Sequence, residues 1–439
     1  MKSRTFLQNT YQNYFNDTNG GANLLNSLRN IPEQPLEILA LAIKSLPSNG
    51  RVFFFGNGGS FDNARFFALT LQKAGVKAFV PGIEGGYSDI AVQKGYAEIY
   101  RQSLKFSSLQ AEDIAVGISG SGNSENVNLA LEYAQQQGAK TFCFGGRDGG
   151  KMAQICGDEN SIIVPNDCME AIEDLHLACS LLLSALLGGK SNLSALKENL
   201  ATKTALFLDK NIETSLPHLA QSIMKTVDEG SRLFVIGHTT GANHFRADMM
   251  RGATAKVPIR GINAPELFSV NSFQATANDD GVDYTLVRGL LKHTPTDNDF
   301  CLLFSLPKAE KITDLCENEL RSLDHSFMKV GCFDASENAI DISGFMDIEF
   351  DFGISILGHS TSVAINSWLN KLWDVQPIEI NLPMEFQGRK KLNKQEILDL
   401  EKRLKAENVL KEDRILSFCY GKTFSIKIPA GSKIERFFY

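Results

Sequence analysis

The chain has 439 residues, with 51 acidic against 44 basic side chains and a formal net charge of −7. That length exceeds one ordinary hydrophobic core and predicts two domains with additions. The acidic balance argues against nucleic acid or an acidic membrane surface as a partner, and no apolar run approaches the twenty residues of a membrane span.

Taken in chain order, the start at Met1 lacks an apolar signal core. The eight cysteines show no Cys-x-x-Cys spacing, and Cys143, Cys179 and Cys301 sit in apolar runs. Both features are expected of a cytoplasmic protein with reduced core thiols. The first predicted strand is 51–55, followed by Gly56-Asn57-Gly58-Gly59-Ser60 and a helix. Residues 75–86 read as turn, strand and turn, and 91–104 as a helix. A second apolar strand, 114–118, breaks into Ser119-Gly120-Ser121-Gly122-Asn123-Ser124, and a helix runs from 125 to 138. Small residues let the backbone bend until successive amides converge on an anion, and the helix behind adds its dipole. The hydroxyls of Ser119, Ser121 and Ser124, with Asn57 and Ser60 from the first loop, are the candidate phosphate ligands. The loop lacks the lysine of a Walker motif and the glycine spacing of a dinucleotide fingerprint, so a small phosphorylated metabolite suits it better. The plainer alternative is a serine-rich turn that caps a helix. A strand at 141–144, a glycine-rich turn at 145–152, a strand at 162–164 and a long apolar helix at 169–187 close the unit. This alternation predicts an α/β fold, a three-layer αβα sandwich on a parallel sheet with its loops at the carboxyl edge.

The second half repeats the theme. A strand at 232–236 enters a Gly237 loop and a helix that carries His244 and Asp248 at i and i+4. Further strands are predicted at 300–304, 328–333 and 348–352, with a closing helix at 358–373 begun by His359. The loop at 305–310 contains none of the Ser-Gly pattern. The reading is therefore a tandem duplication: residues 1–190 with the intact loop, 191–375 as a degenerate copy, and 376–439 as a small α+β extension. That extension is read as a helix at 393–408 and strands at 417–420 and 424–428, serving oligomerisation or as a lid. Two unrelated α/β domains are the alternative. A fused pair is a covalent pseudo-dimer, and such chains are expected to form a homo-oligomer, a dimer of fused pseudo-dimers.

Three motifs carry a resemblance: G-N-G-G-S at 56–60, G-I-S-x-S-G-N-S-x-N-V at 117–127 and G-x-D-G-G-K-M-A at 146–153. Residues 35–187 resemble a SIS (sugar isomerase) domain, a flavodoxin-like fold. Within that superfamily they resemble the bacterial phosphoheptose isomerases, which interconvert sedoheptulose 7-phosphate and a heptose 7-phosphate. Ala277-Asn278-Asp279-Asp280-Gly281 is similar to that family's A-N-D-x-G segment. The resemblance implies a phosphorylated sugar as substrate and, in some members, zinc. It also implies a His and a Glu one helical turn apart after G-N-G-G-S, with a Gln and a His on the closing helix. In the first half those positions hold Phe66, Thr70, Glu173 and Leu181, so the catalytic pair is lost there. His176 stands one turn after Glu173, with Glu170 nearby.

The second half offers a complement. His-Phe-Arg-Ala-Asp at 244–248 is similar to the family's His-Phe-x-x-Glu, and His359 lies near its last His. One composite site per chain follows as an expectation. The first half would hold phosphate, and His244, Asp248 and His359 would supply catalysis or bind a metal, with Glu173 and His176 as further catalytic candidates. The plainer reading makes His244–Asp248 a surface pair worth about 0.2–0.5 kcal/mol. It makes Glu170 and Glu173 carboxylates that satisfy a helix dipole, and Asp148 and Lys151 turn residues. Three function classes stand open: an isomerase feeding surface-polysaccharide or glycoconjugate synthesis, a silent phosphosugar sensor or scaffold, and an elimination or amino-sugar isomerisation with Glu170 or Glu173 as base.

Overall fold

The structure is a computed structural model that describes residues 2–372, apart from 17–21, 83, 238, 254–261, 268–269, 306–309, 334 and 346, together with 377–380 and 424–427. Helices α1 (Lys2–Asn16), α2 (Leu24–Arg29) and α3 (Glu33–Lys44) precede the first strand. There follow β1 (Val52–Gly56), α4 (Gly59–Lys73), β2 (Ala78–Phe79), α5 (Glu84–Lys94), α6 (Ile99–Phe106), β3 (Ile114–Ser119) and α7 (Glu125–Gln136). Then come β4 (Lys140–Gly145), α8 (Gly150–Cys156), β5 (Ser161–Ile163) and α9 (Met169–Leu187). The strands form one parallel sheet in the order β2-β1-β3-β4-β5. Every residue of β1 and of β3 is buried, as continuous apolar runs in a sheet covered on both faces require.

The second half holds α10 (Leu193–Asn211), α11 (Ser215–Glu229), β6 (Leu233–Ile236), α12 (Thr240–Ala247), α13 (Val270–Asp280) and α14 (Thr285–Lys292). It continues with β7 (Phe300–Phe304), α15 (Glu310–Ser322), β8 (Ser326–Gly331), β9 (Ala339–Asp341) and α16 (Phe350–Leu372). Its sheet is again parallel, in the order β6-β7-β8-β9. The chain is thus a tandem pair of α/β sandwiches. Strands β10 (Pro377–Ile380) and β11 (Phe424–Lys427) form a separate antiparallel pair. The helix expected at 393–408 and the strand at 417–420 lie outside the described residues.

Duplication is written in side chains as well as in strands. Arg51 donates from Nε and Nη2 to Asp113, and from Nη1 and Nη2 to the carbonyls of Ser107 and Ser108. Arg232 repeats each contact on Asp299, His293 and Thr294. The closest approach is 2.6 Å in both pairs, and both carboxylates are 2% exposed. Each guanidinium also lies 4.9 Å from the centroid of the Phe two residues on. Removing either arginine takes the charged partner from a buried carboxylate that keeps its backbone N–H bonds, so Arg51→Ala and Arg232→Ala should each destabilise the protein by about 1–3 kcal/mol, readable as a lowered Tm. An unchanged Tm in both would contradict this account of the strand starts.

Two expectations are corrected. Residues 348–352 are not a strand: a 3₁₀ turn (Asp347–Glu349) leads into α16 at Phe350, and the fourth strand is β9. Phe350 and Phe352 alternate as strand residues would, but Ile354, Ile356 and Leu357 are buried with them, the mark of a helix enclosed nearly all round. His359 accordingly sits in the third turn of α16 and does not begin it. The helix expected at 91–104 is interrupted at Gly95, whose φ of 93° no helix accommodates, so α5 and α6 are separate.

One apolar core runs through both halves, uniting residues of α4 and α9 with those of α12 and α16. Helices also cross between the halves: α1 packs on α16 and α11, and α10 on α2 and α9. The thiols of Cys143, Cys156, Cys179, Cys301 and Cys316 are buried, while Cys332 is exposed. Among the described residues no helix is long and apolar enough to cross a membrane.

Candidate functional site

The phosphate-loop candidate sits at the carboxyl end of β3. Gly122 takes φ 65° and donates its N–H to the Ser119 carbonyl, closing a tight turn. A Cβ at Gly122 would stand 1.9 Å from the Gly149 carbonyl oxygen, so only glycine fits. The glycine-rich turn at 145–152 braces this loop through Met152 N–H to Gly122 O (2.9 Å), Gly146 N–H to Gly120 O (3.2 Å) and Lys151 N–H to Asn123 Oδ1 (3.1 Å). Ser124 stands at the N-cap of α7 but makes no capping bond; its hydroxyl meets that of Ser119 at 3.0 Å. Ser121 Oγ accepts the Asn123 N–H at 3.3 Å. The hydroxyls thus line the turn and leave the helix N-terminus uncapped by its serine, an arrangement suited to an anion.

Asn57 has a different position from the serines. Its amide exchanges two hydrogen bonds with the amide of Asn126, at 2.9 and 2.8 Å, and accepts the Tyr96 hydroxyl at 2.9 Å. It therefore ties the β1 loop to the β3 loop. Ser60 lies in the first turn of α4 and is 4% exposed.

Residues from both halves meet beside the β1 loop. One donor atom from each of Glu173, His244, Asp248 and His359 lies within 4.8 Å of the others. Glu173 comes from α9, His244 from α12, and Asp248 from the π-helical turn Asp248–Gly252 that continues α12. His359 comes from α16. Such π turns re-aim side chains and recur at functional sites. His359 Nε2 is 3.2 Å from Glu173 Oε2 and 3.5 Å from Asp248 Oδ2. His244 Nε2 is 3.7 Å from Glu173 Oε2 and 3.6 Å from Asp248 Oδ1. Space for the carboxylates is made by glycines. A Cβ at Gly59 would come within 2.2 Å of Glu173 Oε2, and one at Gly358 within 3.0 Å of Asp248 Oδ2.

The mirror position, built on Asp351 and Gly241 of the second half with Phe66, Thr70 and Leu181 of the first, lacks this chemistry. Asp351 stands against Gly241, accepting its N–H at 2.8 Å, as Glu173 stands against Gly59. Phe66, Thr70 and Leu181 are buried there as core residues.

Burial and mutual charge set the protonation of the cluster. Burial resists the charge on Glu173, but the imidazoles of His244 and His359 outweigh it and bring the carboxyl down to about 2. Burial alone would keep His244 neutral; Asp248 and Glu173 raise it instead, to about 9. Asp248 is raised to about 6, chiefly by burial. His359 is held well above its ordinary value because Asp174 and Asp248 overcome the effect of burial.

His176 does not join them. Its Nε2 meets the Gly145 carbonyl at 3.1 Å, its ring packs on Phe144, and burial lowers it to about 4. The structure therefore does not bring the expected His176 into the cluster with Glu173. Glu170, in the first turn of α9, accepts the Cys168 thiol at 3.3 Å.

A SIS domain family profile matches residues 18–146. Phosphoheptose isomerase of Helicobacter pylori strain P12 is 34% identical over 161 residues, which are 35% of this chain and 82% of that protein. The chain belongs to the SIS-domain family. Phosphoheptose isomerase of Aliarcobacter butzleri is 32% identical over 153 residues, 33% of this chain and 79% of that protein. The tagatose-6-phosphate ketose/aldose isomerase of Escherichia coli has a similar fold at 14% identity and a TM-score of 0.52. It covers 84% of this SIS chain and 93% of its own, so the likeness runs through both sandwiches.

The sequence reading gave no role to Asp174, which contacts Tyr14 and His359, or to Asn126, which pairs with Asn57. Asp174 carried a signal: a second carboxylate inside an apolar helix must have buried partners.

Proposed function

We propose that the protein is an aldose–ketose isomerase of a phosphorylated sugar, resembling sedoheptulose 7-phosphate isomerase, with one composite site per chain. The observation that carries the reading is the convergence of Glu173, which lies against Gly59 of the β1 loop, with His244, Asp248 and His359 from the other half. The amides and hydroxyls of residues 119–124 hold the phosphoryl group and so fix how far the sugar reaches toward the cluster. Isomerisation moves one proton between two adjacent carbons, one bearing the carbonyl, and a hydroxyl proton between the oxygens of those carbons. Glu173, whose carboxylate lies against Gly59 in the β1 loop, takes that proton from one carbon and returns it to the other.

The cluster also fits a divalent ion such as zinc. His244 Nε2, Asp248 Oδ2 and His359 Nε2 are buried without a hydrogen-bond partner, and two imidazoles with two carboxylates are a common ligand set for zinc and its neighbours. His244, Asp248 and His359 would hold the ion, with Glu173 Oε2 also in reach. When bound, such an ion supplies Lewis-acid polarisation of the carbonyl.

Incubation with sedoheptulose 7-phosphate, with and without a chelator, tests the reading. Conversion that stops with the chelator and returns with Zn²⁺ is expected. Thermal stabilisation by the sugar phosphate with no conversion would make the protein a sensor instead. Conversion of amino-sugar phosphates alone would reject the substrate.

A further inference from the structure

Two adjacent carboxylates on α9 have opposite surroundings. Glu173 faces the cluster, whereas Asp174 is wholly buried between α9, α1 and α16. Asp174 Oδ2 accepts the Tyr14 hydroxyl at 2.6 Å. Its Oδ1 accepts the Ser355 hydroxyl at 2.8 Å and lies 2.8 Å from His359 Nδ1. Both oxygens already accept hydroxyl hydrogens, so Asp174 acts as an acceptor and Nδ1 is the donor in that contact. With Nδ1 committed, Nε2 is the atom left to face Glu173 and Asp248. Three donors from two other helices engage both carboxylate oxygens and stop the group from turning away.

We propose that Asp174 is a positioning residue: gripped by Tyr14 of the N-terminal helix and Ser355 of α16, it fixes His359 with Nδ1 as donor and Nε2 directed into the cluster. A carboxylate behind a ligating imidazole orients the ring and raises its basicity. The N-terminal helix is thereby tied to the chemistry of a site it does not touch. The consequence for a bound ion rests on the isomerase reading above; the orientation of the ring does not.

Proton NMR of the full-length, metal-free protein with ¹⁵N-labelled histidine tests the orientation. A ring N–H resonance far downfield is expected, assigned to His359 by its loss in His359→Gln. It should disappear or move upfield in Asp174→Asn, and the Zn²⁺ Kd from chelator competition should weaken by about 10–100-fold. Tyr14→Phe keeps the ring volume and removes one donor, so a smaller weakening of several-fold is expected. If Asp174→Asn does not fold, Tyr14→Phe and Ser355→Ala carry the same two readouts. Variants that fold and leave both resonance and affinity at wild-type values would overturn the proposal. A wild-type protein that shows the resonance, loses it in these variants and binds no divalent ion would support the positioning role and overturn the metal reading.

Discussion

Replacing His244 with alanine is expected to lower kcat/KM toward the sugar phosphate by about 10³-fold or more, while the Kd for that sugar phosphate stays within about 3-fold of wild type. The asymmetry follows from where the residue stands. His244 belongs to the second half and its Nε2 faces Glu173 and Asp248, whereas the loop proposed to hold the phosphate belongs to the first half. Truncation leaves two carboxylates facing one imidazole, which removes a donor from any bound ion and an acid–base partner from the reacting carbons. His244 is 3% exposed, so the change also opens a small buried cavity, and circular dichroism should confirm that the fold persists. Unchanged turnover would reject the composite site.

The second large effect is expected at the loop. Ser121→Leu removes a hydroxyl and fills the turn where the phosphoryl group would sit. A hydrogen bond to a charged group contributes about 1.5–3 kcal/mol, so affinity for the sugar phosphate should fall by about 10–150-fold. Zn²⁺ affinity should stay near the wild-type value, because the four-residue cluster contains no loop serine. The two variants are therefore opposite in kind: one binds sugar phosphate without turning it over, and the other keeps the ion and loses the sugar. Equal sugar affinity in Ser121→Leu and wild type would remove the loop from the account.

The parts of the fold that were legible in the sequence are those in which a local pattern suffices. Strands β1 and β3 are continuous apolar runs, and the glycines between them and their helices mark turns that no other residue can make. The same alternation after residue 232 made the duplication readable. Residues 348–352 misled because apolar alternation in a fully enclosed helix looks like a strand over five positions. Helices α1 to α3 have no motif beside them, and their amphipathic faces say nothing about which half they cover.

The candidate site divides along the same line. His244 and Asp248 are one helical turn apart, so their spacing alone puts them on one face. Glu173 and His176 were paired by spacing too, yet Glu173 reaches the cluster while His176 Nε2 meets the Gly145 carbonyl. Asp174 could not be assigned a role from its neighbours, since Tyr14, Ser355 and His359 are 160, 181 and 185 residues away. What joins them is the fusion of two sandwiches over a shared core, which no local pattern encodes.

The most direct test of a proton-transferring site built from both halves is deuterium uptake from heavy water at the carbon beside the carbonyl of sedoheptulose 7-phosphate. The account predicts uptake by the wild-type protein, and its loss in Glu173→Gln although that variant still binds the sugar phosphate. Uptake at the wild-type rate in Glu173→Gln, or none in the metal-replete wild type, would contradict it.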